Sequence, residues 1–598
     1  MSEIAASGGI ATGSWAGAVR RAVPYGVILL AALLLPLLTN DYWTLIATRA
    51  AVYWVLVSGL NLVVGYAGQL AIGWVALLAL GAYTASVLAA GTVMAPWPTP
   101  LAFAASGVVG ALAGLIVGLP ALRLRTFYFA MTTLGFATIV TQIALAWQSV
   151  TGGGIGVPGP MLPAPLASGV GFYLLCLSLA GLCTWMTANV AHSRFGRSLI
   201  AVRDAEVAAE ICGVSKPRLL GGVFLFSGAL AGIAGGLFAT LQSYITPDAF
   251  TFDLSVLFFI SILIGGRGSI LGPLIATLVL TWLPEVAAPL VVWSTFLYAT
   301  LLLVIVLAVP GGIAALLDFE SRRALPSNRA VLPRPDLLAE LLHGAKRGSA
   351  IRLERVELRF GGLRAIDGLD LVISGGEIHG LIGPNGSGKT TTLNVVCGFN
   401  TPQSGSVSAD GKALPSGNPQ ARAQAGIART FQTPRLVGEA TVLQNVMIGG
   451  TTVGKSGFLE AVFSLPRHHR DEVMLRARAG LALRIVGLES LAGARADRLQ
   501  HSELRFIEIA RALMLCPRYV LLDEPAAGLS GDEIHRLGEL IRGISRQGVG
   551  VLLVEHHADL IFDICDYVTV LNLGKTLAAG TPDEIRQHED VVSAYLGG

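Results

Sequence analysis

Charged side chains are spread so unevenly along this chain that its polar and apolar positions divide it into two halves. Residues 50–122 contain no Asp, Glu, Lys or Arg, and neither do residues 126–193; from about residue 318 charges return at ordinary density. A helix needs about 20 apolar residues to cross the hydrocarbon of a bilayer. Runs that meet or approach this length lie at 23–39, 43–64, 70–91, 99–120, 126–147, 170–191, 218–241, 253–266, 269–284 and 291–309, which predicts about ten spans. Two of them, 253–266 and 269–284, are short enough to be re-entrant.

Lys and Arg collect on the cytoplasmic side of spanning helices. With Arg20 and Arg21 inside, ten crossings put Arg123, Arg125, Arg194, Arg197, Arg203, Lys216, Arg218, Arg267, Arg322 and Arg323 inside as well, and Asp41, Asp248, Asp253 and Glu285 outside. The basic pair ahead of an apolar run has the outline of a signal peptide, but no small-residue cleavage site is clear, so the run reads as a first span. Residues 1–22 ahead of it, Ala-, Gly- and Ser-rich at the start, are expected to be disordered. Glycine-rich breaks occur at Gly65-Tyr66-Ala67-Gly68-Gln69, Thr151-Gly152-Gly153-Gly154 and Gly265-Gly266-Arg267-Gly268. They fit either close helix packing with ordinary loops or broken helices lining a path through the membrane. The charged stretch 193–218 contains a segment of helical composition, 204–213, that ends on Gly213.

The period changes after a Pro- and Arg-containing linker at 318–350. Ile351, Leu353, Val356, Leu358 and Phe360 alternate as in a half-buried strand. A second apolar run, 378–382, leads into Gly383-Pro384-Asn385-Gly386-Ser387-Gly388-Lys389-Thr390, which fits G-x-x-x-x-G-K-[ST] between a strand and a helix starting near Lys389. Glycines there let backbone N–H groups wrap phosphate at a helix N-terminus, Lys389 supplies a point charge, and Thr390 is placed to ligate Mg²⁺. A buried strand, 519–523, ends in two carboxylates, Asp523 suited to Mg²⁺ through water and Glu524 suited to polarising an attacking water. A third strand, 549–554, ends in Glu555-His556, where the imidazole can meet a γ-phosphate.

Composition agrees with this division. Of 598 residues only 14% are charged and 53% are hydrophobic, and the mean hydropathy is +0.65. A soluble chain carries about 25% charged residues. A net charge of +3 gives no reason to expect a nucleic-acid partner. Cys176, Cys183, Cys212, Cys397, Cys516 and Cys565 lie far apart without metal-ligand spacing and read as apolar fillers. The fold class expected is a polytopic α-helical membrane domain of about ten spans, 23–317, joined to an α/β P-loop ATPase domain, 351–598.

With these motifs in order, the second half resembles an ABC ATPase. The resemblance implies that Phe360 stacks on adenine, that Gln432 in Thr430-Phe431-Gln432 senses Mg²⁺ and the permease, and that His556 is the switch histidine. It also matches Ala527-Gly528-Leu529-Ser530 to the D-loop and extends the nucleotide contacts to Thr391. Arg359-Phe360-Gly361-Gly362-Leu363, Ile427-Ala428-Arg429-Thr430-Phe431-Gln432, Glu524-Pro525-Ala526-Ala527-Gly528-Leu529 and Val554-Glu555-His556-His557 are similar to the ATPase of branched-chain amino acid importers. Val64-Gly65-Tyr66-Ala67-Gly68-Gln69-Leu70, Thr133-Leu134-Gly135-Phe136, Ser193-Arg194-Phe195-Gly196-Arg197 and 265–273 resemble the permease of the same systems. There Val207, Ala208, Ala209 and Gly213 fall in the coupling loop that docks on the ATPase.

The resemblance implies ATP and Mg²⁺ as cofactors and import of branched-chain amino acids or a related solute across the bacterial cytoplasmic membrane, with the ATPase in the cytoplasm. Urea, short amides or aromatic acids are the alternative solutes, and a regulatory subunit or an exporter is the alternative class. Implied partners are a second permease, a second ATPase and an extracytoplasmic solute-binding protein. One departure stands out. Where the family has Leu-Ser-Gly-Gly-Gln or Leu-Ala-Tyr-Gly-Gln, this chain reads Leu499-Gln500-His501-Ser502-Glu503. Bulky Gln500 and His501, and a carboxylate at Glu503, are expected to hinder approach to the phosphate bound by an opposing subunit. That predicts an asymmetric pair in which the second ATPase carries the intact signature.

Overall fold

The computed structural model describes residues 15–92, 95–124, 126–287, 311–317, 331–343 and 348–593, with isolated positions between 293 and 307. Residues 1–14, most of the run at 291–309 and most of the linker (318–330 and 344–347) lie outside the described residues. The first half is helical: α1 (Trp15–Leu38), α2 (Asp41–Asn61), α3 (Val75–Ala90), α4 (Thr99–Gly118), α5 (Thr126–Ala146), α6 (Gly169–His192), α7 (Arg194–Asp204), α8 (Glu206–Ile211), α9 (Lys216–Gln242), α10 (Phe252–Gly265) and α11 (Leu271–Ala287). From the second run on, the hydropathy runs and the helices coincide to within about five residues through residue 287, while the first helix starts eight residues ahead of its run.

A count of ten spans does not follow from them. Among the described residues six helices are long and apolar enough to cross a membrane, and three more apolar helices, Val23–Leu38, Val75–Ala90 and Leu271–Val286, are shorter. The tenth run falls outside the described residues. The expectation of disorder across 1–22 is corrected in its last third, since α1 begins at Trp15. No proline interrupts Ala16-Gly17-Ala18-Val19-Arg20-Arg21-Ala22-Val23, and most of these residues favour a helix.

The centre of the bundle is α2 and α9. Glycines let their neighbours approach to backbone contact, because van der Waals packing holds helices together where lipid offers no hydrophobic drive. A Cβ on Gly110 of α4 would stand 2.3 Å from the Gly228 carbonyl of α9, and one on Gly81 of α3 would stand 2.2 Å from the Gly232 carbonyl. The break at Gly65 is real: α2 passes into a π-turn at Leu62–Tyr66 and stops. Gly266 and Gly268, both with positive φ, likewise separate α10 from α11.

Within the expected helical stretch 204–213 one helix forms, α8 (Glu206–Ile211), with Gly213 just beyond it; α7 ends at Asp204, and Ala205, at φ −147°, separates the two. The cause is tertiary. Ala205 is buried together with Ala208 and Ile211 in a hydrophobic cluster of the second half. Gly213, at φ +82°, closes α8, and a Cβ there would lie 2.2 Å from Thr452.

The second half contains β1 (Ala350–Phe360), β2 (Leu363–Ser374), β3 (Ile378–Ile382), β4 (Ser404–Ala409), β5 (Lys412–Ala413), β6 (Ile427–Arg429), β7 (Tyr519–Asp523), β8 (Gly550–Val554), β9 (Tyr567–Asn572) and β10 (Lys575–Gly580). One sheet has the order β10-β9-β3-β8-β7-β6 and the other β2-β1-β4-β5. The first is parallel except for β10. Strands β3, β7 and β8 are buried at every position, the continuous apolar reading expected of a parallel sheet covered on both faces. Their carboxyl ends open on one edge, where open α/β sheets bind ligands.

Candidate functional site

The phosphate loop leaves β3 at Gly383, where φ is +147° and a Cβ would meet the Leu571 carbonyl at 2.1 Å. Gly388, at φ +108°, is the N-cap of α12 (Lys389–Val396), and no side chain caps that end. Its orphan N–H groups face the loop, so the local chain is built to take an anion. Pro384, Asn385, Gly386 and Ser387 form the turn, with Asn385 and Gly386 exposed and Ser387 buried; Thr390 and Thr391 follow on the first turn of the helix. Lys389 is buried, with Nζ donating to the carbonyls of Gly383 at 2.7 Å and Pro384 at 3.0 Å. Burial lowers its pKa, against the opposing pull of Glu524 and Asp523.

Asp523 ends β7. Its Oδ2 accepts from Arg429 Nη2 at 2.9 Å, and Oδ1 is buried without a hydrogen-bond partner among the described residues. Burial raises its carboxyl pKa and Arg429 opposes the rise. Glu524, held at φ +48°, anchors its N–H to the Val554 carbonyl at the end of β8. Its carboxylate stands between two side chains from distant segments: Gln432 Nε2 donates to Oε2 at 2.9 Å, and His556 Nε2 lies 3.0 Å from Oε1. The three residues expected to carry chemistry are therefore one hydrogen-bonded unit beside the phosphate loop. Phe360 stands apart from it, an exposed ring on the last residue of β1.

Sequence reading missed the residues that hold Gln432. Glu508 and its neighbours lie on α14 (His501–Leu513), which follows α13 (Pro466–Ile485). The buried Glu508 carboxylate accepts the N–H groups of Phe431 at 3.3 Å and Arg435 at 2.9 Å, while Arg505 and Arg511 donate to the carbonyls of the same two residues. Burial raises the Glu508 pKa, and Arg511 works against it. Charged residues spaced three apart on an otherwise apolar helix were the available signal, since such side chains are rarely buried unless paired.

Leu499, Gln500, His501, Ser502 and Glu503 lead into α14. Gln500 and His501 are exposed and His501 sits against Gly528 of the 527–530 turn, as bulk at this end requires. Glu503 differs from expectation. Its side chain is buried; Oε2 turns back to accept the Gln500 N–H at 2.8 Å, while Oε1 is buried without a hydrogen-bond partner among the described residues.

The membrane half reaches this machinery through α7 and α8. Ala208, Ile211 and Cys212 share a cavity of about 10 Å³ with Arg429, Phe431 and Arg511. Val207 is half-buried at the same contact and Ala209 is fully buried. Arg197 makes a bidentate ion pair with Glu472 of α13 at 2.9 and 3.0 Å, and the Arg194 N–H donates to the same carboxylate at 2.7 Å. The Arg194 guanidinium donates to the carbonyls of Thr451, Gly454 and Ser456. Arg203 joins three parts, donating to the Gly65 carbonyl at the broken end of α2 at 2.7 Å, to Asp204, and to Glu439 at 3.1 Å. A cavity of about 500 Å³ opens on this face between Gly68, Gln69, Arg123, Arg203 and Lys216.

Known families match both halves. Residues 42–309 match the branched-chain amino acid transport system permease component, residues 366–527 the ABC transporter family, and residues 575–598 the branched-chain amino acid ATP-binding cassette transporter family. The chain is 38% identical over 248 residues to the high-affinity branched-chain amino acid transport ATP-binding protein BraF of Pseudomonas aeruginosa, covering 41% of this chain and 97% of that one. It is 39% identical over 241 residues to LivG of Salmonella typhimurium, covering 40% and 94%. Against the probable LivG of Methanocaldococcus jannaschii it is 32% identical over 251 residues, covering 41% and 97%. These relatives align with the second half, whose phosphate loop and acidic strand end make it a nucleotide-binding, ATP-hydrolysing cassette. The apolar helices, with the cassette docked on the Arg-rich α7 and α8, make the chain a membrane protein with its ATPase on the cytoplasmic side. It belongs to the branched-chain amino acid ABC transporter family, with permease and ATP-binding cassette carried on one polypeptide.

Proposed function

We propose that this chain drives import of branched-chain amino acids, or a closely related small polar solute, across a bacterial cytoplasmic membrane. The unit boundaries that fit this reading are 23–317 for the permease, 318–350 for the linker and 351–598 for the ATPase. Gly383 to Thr391 hold the nucleotide phosphates, Phe360 stacks on adenine, and Lys389 offsets phosphate charge. Thr390, Asp523 and Gln432 would hold Mg²⁺, and the orphaned buried Oδ1 of Asp523 fits that role; the ion supplies charge neutralisation at the β and γ phosphates. Glu524 orients and polarises the attacking water, while His556 and Gln432 fix the carboxylate from either side. The observation that carries the reading is the hydrogen-bonded trio Gln432–Glu524–His556 next to a glycine-built phosphate loop, in an ATPase docked on a permease.

Closure of two ATPase units moves α7 and α8, and the α2 break that Arg203 touches transmits this to the 500 Å³ cavity, the cytoplasmic mouth of the solute path. A complete transporter then needs a second permease, a second ATPase and an extracytoplasmic solute-binding protein. The closed end of α14 favours a second ATPase with an intact signature, so that this chain's own phosphate loop is the efficient site. Glu524→Gln is expected to retain ATP and abolish uptake in proteoliposomes; unchanged uptake would overturn the catalytic assignment. Full ATPase activity of the chain reconstituted alone would overturn the asymmetry.

A further inference from the structure

Arg429 is almost fully buried at the end of β6, and everything around it belongs to a different part of the machine. Nη1 donates to Asn394 Oδ1 on the phosphate-loop helix at 2.6 Å and Nη2 to Asp523 Oδ2 at 2.9 Å. Its guanidinium carbon lies 5.4 Å from the centre of the Phe431 ring, the residue before Gln432. On the remaining side it lines the small cavity that receives Ala208, Ile211 and Cys212 from the membrane half.

We propose that Arg429 is a positioning residue that ties the docked α8 helix to the carboxylate of Asp523. A guanidinium fork fixes two acceptors at once in one plane, which an ammonium cannot do. By engaging Oδ2 it fixes the rotation of the carboxylate and leaves Oδ1, otherwise unpartnered, as the oxygen presented to the nucleotide side. The Phe431 ring flanks the fork, and the cavity beside it is walled by Ala208 and Ile211 of α8. A shift of α8 is thereby felt at Asp523 without contact between them. The inference rests on the assignment of Asp523 as a Mg²⁺ ligand, and its test separates the two.

The test uses the full chain assembled with its partner subunits in lipid, with a fluorescent ATP analogue titrated in EDTA and then against Mg²⁺. Arg429→Met is expected to leave Mg²⁺-free nucleotide affinity at the wild-type value and to raise the Mg²⁺ needed for half-maximal binding and turnover by ~10–100-fold, the usual cost of losing a residue that orients a metal ligand. Arg429→Lys, which keeps the charge but loses the fork, is expected to fall between, and it carries the test alone if the methionine variant does not assemble. An unchanged Mg²⁺ requirement, or equal loss with and without Mg²⁺, overturns the inference. If instead Asp523→Asn has no effect on the Mg²⁺ requirement, it is the metal assignment that falls. The link to α8 is read from Ala208→Leu. It should shift the Mg²⁺ requirement in the wild type and add nothing in Arg429→Met, since coupled residues are non-additive; equal shifts in both backgrounds remove α8 from the proposal.

Discussion

Two helices in the ATPase half begin at stretches proposed to meet phosphate, and their ends are built differently. α12 starts on Gly388, with no capping side chain, behind glycines at positive φ. α14 starts on Gln500, and the carboxylate of its own Glu503 accepts the N–H at that end. A helix N-terminus attracts anions through its unpaired N–H groups and dipole. That attraction is available to a ligand only when no local acid has taken it first. At α14 one of those N–H groups, that of Gln500, is already taken by a side chain three residues into the helix.

The largest effect that bears on this contrast is at the open end. Lys389→Ala should lower turnover by ~10²–10³-fold, the range for removing a preorganised electrostatic contact. Wild-type turnover in a reconstituted ATPase assay would mean that phosphate is held elsewhere.

Acid should loosen the open end next. His379 lies on β3, which delivers the phosphate loop, with Nε2 2.9 Å from Thr569 Oγ1. Burial pushes its pKa from 6.5 down to about 4, so the folded chain keeps it neutral while the unfolded chain takes up a proton. Stability is complete above about pH 6.5 and falls as pH drops toward 4, by up to ~3 kcal/mol from this group. Thermal unfolding of the ATPase half followed against pH should show this slope, and His379→Gln should flatten it. Hydrogen exchange rising equally at 383–390 and 501–505 would contradict a local effect.

The smallest effect is at the closed end. Glu503→Ala should speed amide exchange in the first turn of α14 by the equivalent of ~1 kcal/mol, as loss of an N-terminal cap does. Protection unchanged in that turn would show that the carboxylate does not close it.

How far the sequence reached can be traced through particular residues. Gly383 to Lys389 were legible because the whole cradle is contiguous, and a strand–turn–helix needs nothing distant to form. Asp523 and Glu524 were legible for the same reason, as polar residues ending an apolar strand. Arg429 and Glu472 were not, because each declares its role only through a partner far along the chain; Glu508 pairs with Arg511 on its own helix, but the N–H groups it holds, of Phe431 and Arg435, lie in a distant segment. The end of α7 at Asp204, just ahead of α8, was hidden too, since Ala205 carries no local stop signal and is buried in a cluster of the ATPase half.

By itself the sequence determined that the chain has an apolar helical half and a nucleotide-binding half, where most helices begin and end, and which short stretch forms the strand–turn–helix proposed to hold phosphate. Those features follow from periodicity and from neighbours within one turn or one strand. Tertiary structure decided that Gln432, Glu524 and His556 form one unit, that Glu503 serves its own helix, and that α7 and α8 lock onto Glu472 and the Arg429 pocket. Each of these depends on desolvated hydrogen bonds between segments far apart in the chain, whose strength comes from a burial that only the assembled fold creates.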